Sequence, residues 1–380
     1  MRLTLVISSL QCGGAERVMT TMANYWAERG KQITLLTLDD GSKPPFYELD
    51  ERVHHISLGL AEPSCNVTKA LLNNLRRIRA LRRATRHSQA DAVISFMDKT
   101  NVITLLAMRG LRLPVIVSER INPAMYSVGL LWDRLRRWTY PLADRVIIQT
   151  DDVLGYFSTR VQSRTSVIPN PVLRPRAPRD KPMVSVAKRS IVAMGRLERQ
   201  KGFDLLLRSF GRLSEELSDW HLVILGEGSL RPELESLTNE LGLLERVTMP
   251  GRLKTSHEVL NQADLFVMSS RFEGFPNALC EAMSCGLPVI STDCPSGPRN
   301  IVRHEIDGLL VPNEDLDALT KAMNRLMGSE AERMRLGARA LEVCERFSVD
   351  KIMYSWEQVL RKVTSGRMTI EPVSTRATLQ

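Results

Sequence analysis

Ser270-Arg-Phe-Glu-Gly-Phe-Pro-Asn-Ala-Leu-Cys-Glu-Ala-Met-Ser-Cys-Gly-Leu-Pro288 places two carboxylates, Glu273 and Glu281, eight positions apart. The run before it, residues 264–268, is short and apolar, which suits a buried parallel strand. Gly274 and Pro276 make a turn, and Asn277 to Cys285 reads as a short helix closed by Gly286 and Pro288. Glu273 is therefore expected on a loop at the carboxyl end of a strand, and Glu281 on the helix that follows. The backbone N–H groups of Asn277, Ala278 and Leu279 lie at that helix start, where an anionic group is favoured. Hydroxyl acceptors beside an anion site fit a ligand carrying both hydroxyls and phosphates, such as a nucleotide-sugar.

Working outward, both halves of the chain alternate strands and helices. Strand-like runs are Arg2–Ser8, Gln32–Leu38, Ala92–Phe96, Val115–Ser118 and Arg145–Thr150, with helix-like runs Ala15–Arg29, Lys69–His87 and Leu131–Tyr140. The pattern restarts with strand Ser190–Met194, helix Phe203–Glu216, strand His221–Leu225, helix Arg231–Leu241, strand Val247–Met249, helix Ser256–Gln262 and strand Leu265–Ser269. A helix at 315–327 and another near 350–363 follow. Such alternation predicts α/β architecture: two Rossmann-like, doubly wound parallel-sheet domains facing each other across a cleft. The expected boundaries are 1–172 for the first domain, 173–183 for a Pro- and Arg-rich linker, and 184–349 for the second domain. Helix 350–363 is expected to pack back on the first domain, and 364–380 reads as a mobile tail.

The chain is 380 residues long, too long for one ordinary domain, and its apolar content of 43% is that of a soluble globular protein. No apolar stretch reaches membrane-spanning length, and Leu3 to Leu10 runs into Gly13-Gly14 as a first strand would. Six scattered cysteines suggest free thiols in a reducing compartment. The net charge is +9, and residues 1–170 hold 23 Lys and Arg against 15 Asp and Glu. That imbalance points to an anionic partner: a lipid surface, a phosphate-bearing acceptor or nucleic acid. Lys69–His87 carries Lys69, Arg76, Arg77, Arg79, Arg82, Arg83 and Arg86 with no acidic residue, and leucines recur near helical spacing. A basic amphipathic helix of this kind can lie on anionic lipid or hold a pyrophosphate, and it can also be an ordinary charged surface helix.

Gly195-Arg-Leu-Glu-Arg-Gln-Lys-Gly202 directly follows a strand and puts Arg196 and Lys201 on a strand–helix junction, where two cations can clamp a diphosphate. Alone, the pair reads equally well as two solvated surface charges; beside Glu273 and Glu281 the phosphate reading gains. Gly13 and Gly14 sit between the first strand and its helix, matching neither a G-x-G-x-x-G fingerprint nor a P-loop. Gly226-Glu-Gly228 and Gly251-Arg252 end two further strands and are candidates to line a base pocket. The six histidines lack metal-ligand spacing and no convincing Asp-x-Asp pair is present, so no metal site is expected.

Taken together, the Gly-Gly turn, Ile168-Pro-Asn170, Gly195-Arg-Leu with Lys201-Gly202, Gly226-Glu-Gly228, Glu273 with Glu281, and Gly286-Leu-Pro-Val-Ile through Asp307-Gly-Leu-Leu-Val311 resemble retaining glycosyltransferases of family GT4, with the GT-B fold. The resemblance runs from about residue 1 to 362. Ser95-Phe-Met-Asp-Lys-Thr-Asn101, Val117-Ser-Glu-Arg120 and Cys294-Pro-Ser-Gly-Pro298 are similar to a subgroup that extends polyprenyl-diphosphate-linked saccharides, including N-acetylgalactosaminyltransferases. This resemblance implies that Arg196 and Lys201 hold the donor diphosphate, Glu273 meets the transferred sugar and Glu281 accepts from the ribose. Gly13 and Gly14 would let the loop close, with Gly274, Asn277, Ala278, Leu279 and Arg252 around the donor. It implies a hexosyltransferase that uses a UDP-sugar as donor substrate, with no other cofactor and no nucleic acid. Arg76, Arg79, Arg82 and Arg83 would meet the acceptor diphosphate or the anionic inner face of the cell membrane, giving a cytoplasmic, peripheral protein. Many relatives carry His where Arg120 stands, so only a general acceptor- or sugar-facing role carries over to Glu119 and Arg120. An epimerase on the same fold, or a non-catalytic protein binding anionic lipid, are the competing readings.

Overall fold

The computed structural model describes residues 1–60, 66–175, 187–213 and 217–365. Seven parallel strands form the first sheet: β1 (Arg2–Ile7), β2 (Gln32–Thr37), β3 (Val53–Ser57), β4 (Ala92–Phe96), β5 (Val115–Ser118), β6 (Arg145–Ile148) and β7 (Thr165–Val167). Their spatial order is β3-β2-β1-β4-β5-β6-β7. The second sheet holds β8 (Ser190–Met194), β9 (His221–Leu225), β10 (Val247–Gly251), β11 (Leu265–Met268), β12 (Val289–Thr292) and β13 (Leu309–Val311), in the order β10-β9-β8-β11-β12-β13. It too is parallel throughout. Each order reverses once, between β1 and β4 in the first sheet and between β8 and β11 in the second. Such switch points open a crevice at the carboxyl ends of the strands.

Side chains alternate across each sheet, so each is covered on both faces. In the first domain Leu3, Leu5 and Ile7 pack with Trp26 under helix Gly14–Glu28, whereas Val6, Val93 and Val117 face the cluster that includes Leu81, Val102 and Tyr140. Helices Val67–His87, Asp98–Met108 and Leu130–Thr139 lie side by side on this second face. The second domain repeats the scheme, with Ile191 and Ala193 facing one cluster and Val192 the other.

The final helix, Val349–Ser365, is built into the first domain rather than the second. Ile352, Met353, Trp356 and Leu360 share a core with Leu5, Trp26 and Phe96, and the Trp356 ring lies 6.1 Å from that of Phe96. Lys31 reinforces the junction through Glu357 at 2.6 Å. This helix is longer than the expected 350–363. Of the expected tail, Thr364 and Ser365 are helical and the rest lies outside the described residues, as does most of the expected linker. Helix Phe203–Gly211 ends before the expected Glu216: Arg212 and Leu213 turn, and residues 214–216 lie outside the described residues. Among the described residues no helix is long and apolar enough to cross a membrane.

Candidate functional site

A cavity of about 520 Å³ lies between the two domains, lined by loops from the carboxyl ends of β1 and β4 on one side and of β8, β9, β10 and β11 on the other. It collects Gly13, Gly14, Arg120, Arg196, Lys201, Arg252, Glu273, Gly274, Asn277, Ala278 and Glu281, residues drawn from five separate stretches of sequence.

Arg196 and Lys201 occupy the loop after β8. Gly202 closes that loop at φ +61, and a Cβ there would stand 2.1 Å from the Ser269 carbonyl, so the turn that brings Lys201 beside β11 requires glycine. Lys201 Nζ donates to Glu273 Oε1 at 2.5 Å, and Ser270 Oγ donates to the same oxygen at 2.7 Å. Glu273 is 5% exposed. Cation and carboxylate are thus paired in the cleft, a contact that spacing alone did not reveal. Gly274 carries the loop under the first domain: a Cβ there would lie 2.5 Å from the Arg120 carbonyl oxygen.

Helix Asn277–Ser284 follows, with no side-chain cap and no acidic residue in its first turn. Its leading amides therefore remain open to an anion. Ala278 lines the cavity, while the Leu279 side chain is fully buried in the core behind it. Asn277 spans the cleft, donating from Nδ2 to the Gly14 carbonyl at 3.0 Å and accepting on Oδ1 from Asn170 at 2.8 Å. Glu281 is ion-paired with Arg17 of the first domain and accepts from Ser256 Oγ at 3.1 Å. Arg17 also meets His257 Nε2 at 2.9 Å. Burial lowers the pKa of His257, against the pull of Glu281. Arg17, Ser256 and His257 escaped the sequence reading. The available signal was that Arg17 lies one helical turn beyond Gly13 and so shares its face.

Arg252 lines the cavity opposite the first domain, and Glu227, also lining it, is held by Arg231 at 2.6 Å. Among the described residues no group of three or more His, Cys, Asp or Glu side chains is arranged to hold a metal ion.

Two expected placements differ. Glu119 does not face the cavity. It is 1% exposed, accepts from Tyr140 Oη at 2.6 Å, and has Arg136 Nη1 at 3.8 Å. Arg82 is not free for an acceptor or a membrane, because its Nη1 donates to the carbonyls of Ala107 and Arg109 at 2.7 and 2.8 Å and so caps helix Asp98–Met108. Arg76, Arg79 and Arg83 are exposed on helix Val67–His87 and lie outside the cavity lining. Arg120 does line it, with its guanidinium 3.5 Å from the Phe96 ring centre and Nη1 donating to Asn170 Oδ1 at 2.6 Å. Burial alone pulls its pKa well below the usual guanidinium range.

Burial raises the Glu119 pKa from 4.5 to about 7, with Arg136 and Tyr140 opposing the shift. The folded chain therefore holds a proton that the unfolded chain releases between these values. The associated stability is complete below pH 4.5 and disappears as pH rises through about 7. Glu119→Gln is expected to flatten this part of the profile. Urea midpoints taken across that range check it, and an unchanged slope contradicts it.

Comparison with known proteins identifies the family. The description "Glycosyl transferase 4-like domain" matches residues 13–171, and "Glycosyl transferases group 1" matches residues 179–343. The chain is a GT4-type glycosyltransferase. It has the GT-B fold, each matched segment corresponding to one sheet domain. The transferase is 29% identical over 369 residues to the GalNAc-α-(1→4)-GalNAc-α-(1→3)-diNAcBac-PP-undecaprenol α-1,4-N-acetyl-D-galactosaminyltransferase of Campylobacter jejuni, covering 96% of this chain and 100% of that one. Among solved structures, sucrose-phosphate synthase from Thermosynechococcus elongatus superposes with a TM-score of 0.81 at 20% identity over 96% of this chain and 99% of that one. Anabaena HepE in complex with UDP superposes with a TM-score of 0.75 at 18% identity, covering 95% and 100%.

Proposed function

We propose that this glycosyltransferase moves a hexose or N-acetylhexosamine, with GalNAc, GlcNAc or galactose favoured, from a UDP-sugar to a polyprenyl-diphosphate-linked saccharide in bacterial surface-polysaccharide or glycan assembly. The observation that carries the reading is the convergence of Arg196, Lys201, Glu273, Glu281 and the uncapped helix start at Asn277 on one cavity. Arg196 and Lys201 stabilise the charge that grows on the diphosphate as the sugar departs. Glu273 turns from Lys201 to the hydroxyls of the transferred sugar, and Glu281 exchanges Arg17 for the ribose. The configuration at C1 is retained: the acceptor hydroxyl attacks from the face that the diphosphate leaves, and its proton passes to a departing phosphate oxygen. No protein nucleophile and no metal is needed in this scheme. The acceptor and GalNAc preferences follow the activity of the Campylobacter relative, and the UDP preference follows the HepE complex.

The transferase works at the anionic inner face of the cell membrane. Helix Val67–His87 supports this, because its cleft-side end exposes Leu71 (63%) and Leu72 (57%) while Arg76, Arg79 and Arg83 stand exposed further along. Each basic residue near such a surface is worth about 1 kcal/mol. Replacing Arg76, Arg79 and Arg83 together by Gln is therefore expected to reduce sedimentation with phosphatidylglycerol vesicles by about a hundredfold in partition constant. Retained binding contradicts the membrane assignment.

The test of the function is transfer of label from UDP-GalNAc, UDP-GlcNAc or UDP-galactose to a bacterial lipid extract, with the anomeric configuration of the product read by NMR. An α-linked lipid product is expected. Interconversion of the free donors without acceptor would instead mark an epimerase.

A further inference from the structure

The donor residues cluster at the switch point of the second sheet, after β8 and β11. The first sheet has its own switch point between β1 and β4, and the loops there belong to the same cavity: Gly13 and Gly14 after β1, Met97, Asp98 and Lys99 after β4. Met97 adopts φ 76 and ψ 141, a conformation that costs a side-chain-bearing residue free energy. It is held there by neighbours on both sides. Its N–H donates to the Ser118 carbonyl at 3.3 Å, and its carbonyl accepts from Asn101 N at 2.7 Å. The Asn101 side chain is in turn pinned to Ser118 O at 2.9 Å and Tyr140 Oη at 3.1 Å, and that hydroxyl donates to the buried Glu119. The Glu119 network thus stands directly behind the first turn of helix Asp98–Met108 and fixes where Asp98 is presented.

Asp98 uses Oδ1 to accept from Lys99 N at 2.5 Å, and Oδ2 has no hydrogen-bond partner among the described residues. A rigidly presented carboxylate with a free oxygen on the wall of a cleft suits sugar hydroxyls. It repels phosphate, so it does not belong to a diphosphate subsite. We infer that Asp98, aimed by the left-handed backbone of Met97, is the acceptor-binding residue of this transferase and takes hydroxyls of the neutral terminal sugar of the acceptor. The inference rests on the transferase reading. It assigns a role within Ser95-Phe-Met-Asp-Lys-Thr-Asn101, a segment the donor site leaves unused.

The experiment measures binding of methyl α-glucoside, methyl α-galactoside and methyl α-N-acetylgalactosaminide by saturation-transfer NMR, with and without UDP, alongside the UDP dissociation constant by calorimetry. The wild type is expected to bind at least one of the three sugars. Asp98→Asn should weaken that sugar about tenfold or more, with UDP affinity within about twofold because the donor cations and carboxylates lie on the other domain. Asp98→Asn is isosteric and should unfold at the wild-type Tm, which serves as the folding control. Unchanged sugar binding in Asp98→Asn, equal loss of sugar and UDP, or a wild type that binds none of the sugars would overturn the inference. A protein that takes sugar through Asp98 but no UDP would instead overturn the donor assignment alone.

Discussion

Lys201→Ala is expected to lower kcat by about 10² to 10³, the usual effect of deleting one preorganised charge-stabilising group. Two effects overlap in this variant and separate experimentally. Lys201 and Glu273 are side chains only 15% and 7% exposed, and removing the cation strands the carboxylate beside Ser270. Breaking such a buried pair costs about 3 kcal/mol, which for a domain of this size is roughly 6–12 °C in Tm. The double variant Lys201→Ala/Glu273→Gln removes the stranded charge, so it should regain most of the lost Tm. It should regain none of the turnover, because the diphosphate still lacks its cation. Arg196→Ala is the cleaner companion. Among the described residues its side chain makes one long hydrogen bond, to Gln200 at 3.4 Å, so activity should fall at nearly constant Tm. A double variant that recovers activity along with Tm would mean that Lys201 is a packing element only.

Trp356→Ala carries the largest expected stability effect, about 3–5 kcal/mol. The indole is 1% exposed and packs within the core of the first domain, although it belongs to the last helix of the chain. Truncation should therefore loosen helix Val349–Ser365 together with β1 and β4 while the second sheet holds. Amide exchange resolves this: protection should drop in 349–365, 2–7 and 92–96 and remain in 190–194 and 265–268. Equal loss in both sheets would contradict the assignment of this helix to the first core. Trp356→Phe keeps most of the packing volume and should cost far less.

The parallel α/β architecture was legible because most strands are short apolar runs bounded by turns. Those that escaped notice have identifiable reasons. β3 contains His54-His55, β7 and β13 are three residues long, and β12 is hidden behind Gly286-Leu-Pro288 within a longer apolar stretch. Helix Asp98–Met108 was missed because it is buried nearly all round, from Thr100 to Met108 apart from a half-buried Leu106, so it shows no amphipathic period. In the site, the loop cations and helix carboxylates could be found because their chemistry is tied to local turns. Arg17 could not be matched to Glu281, since the two are brought together only by the facing of two domains. Burial was equally invisible: Glu119 and Arg82 look like surface charges in sequence, and the fold spends one on Tyr140 and the other on a helix end.

The central claim is that this cleft neutralises a diphosphate from which a sugar departs. Its most direct measurement is a crystal structure with an intact UDP-sugar bound. The account predicts both phosphates within hydrogen-bonding distance of Arg196 and Lys201 and of the amides at Asn277 and Ala278, with the ribose on Glu281 in place of Arg17. A donor bound outside the cleft, or one whose diphosphate touches neither cation, would contradict it.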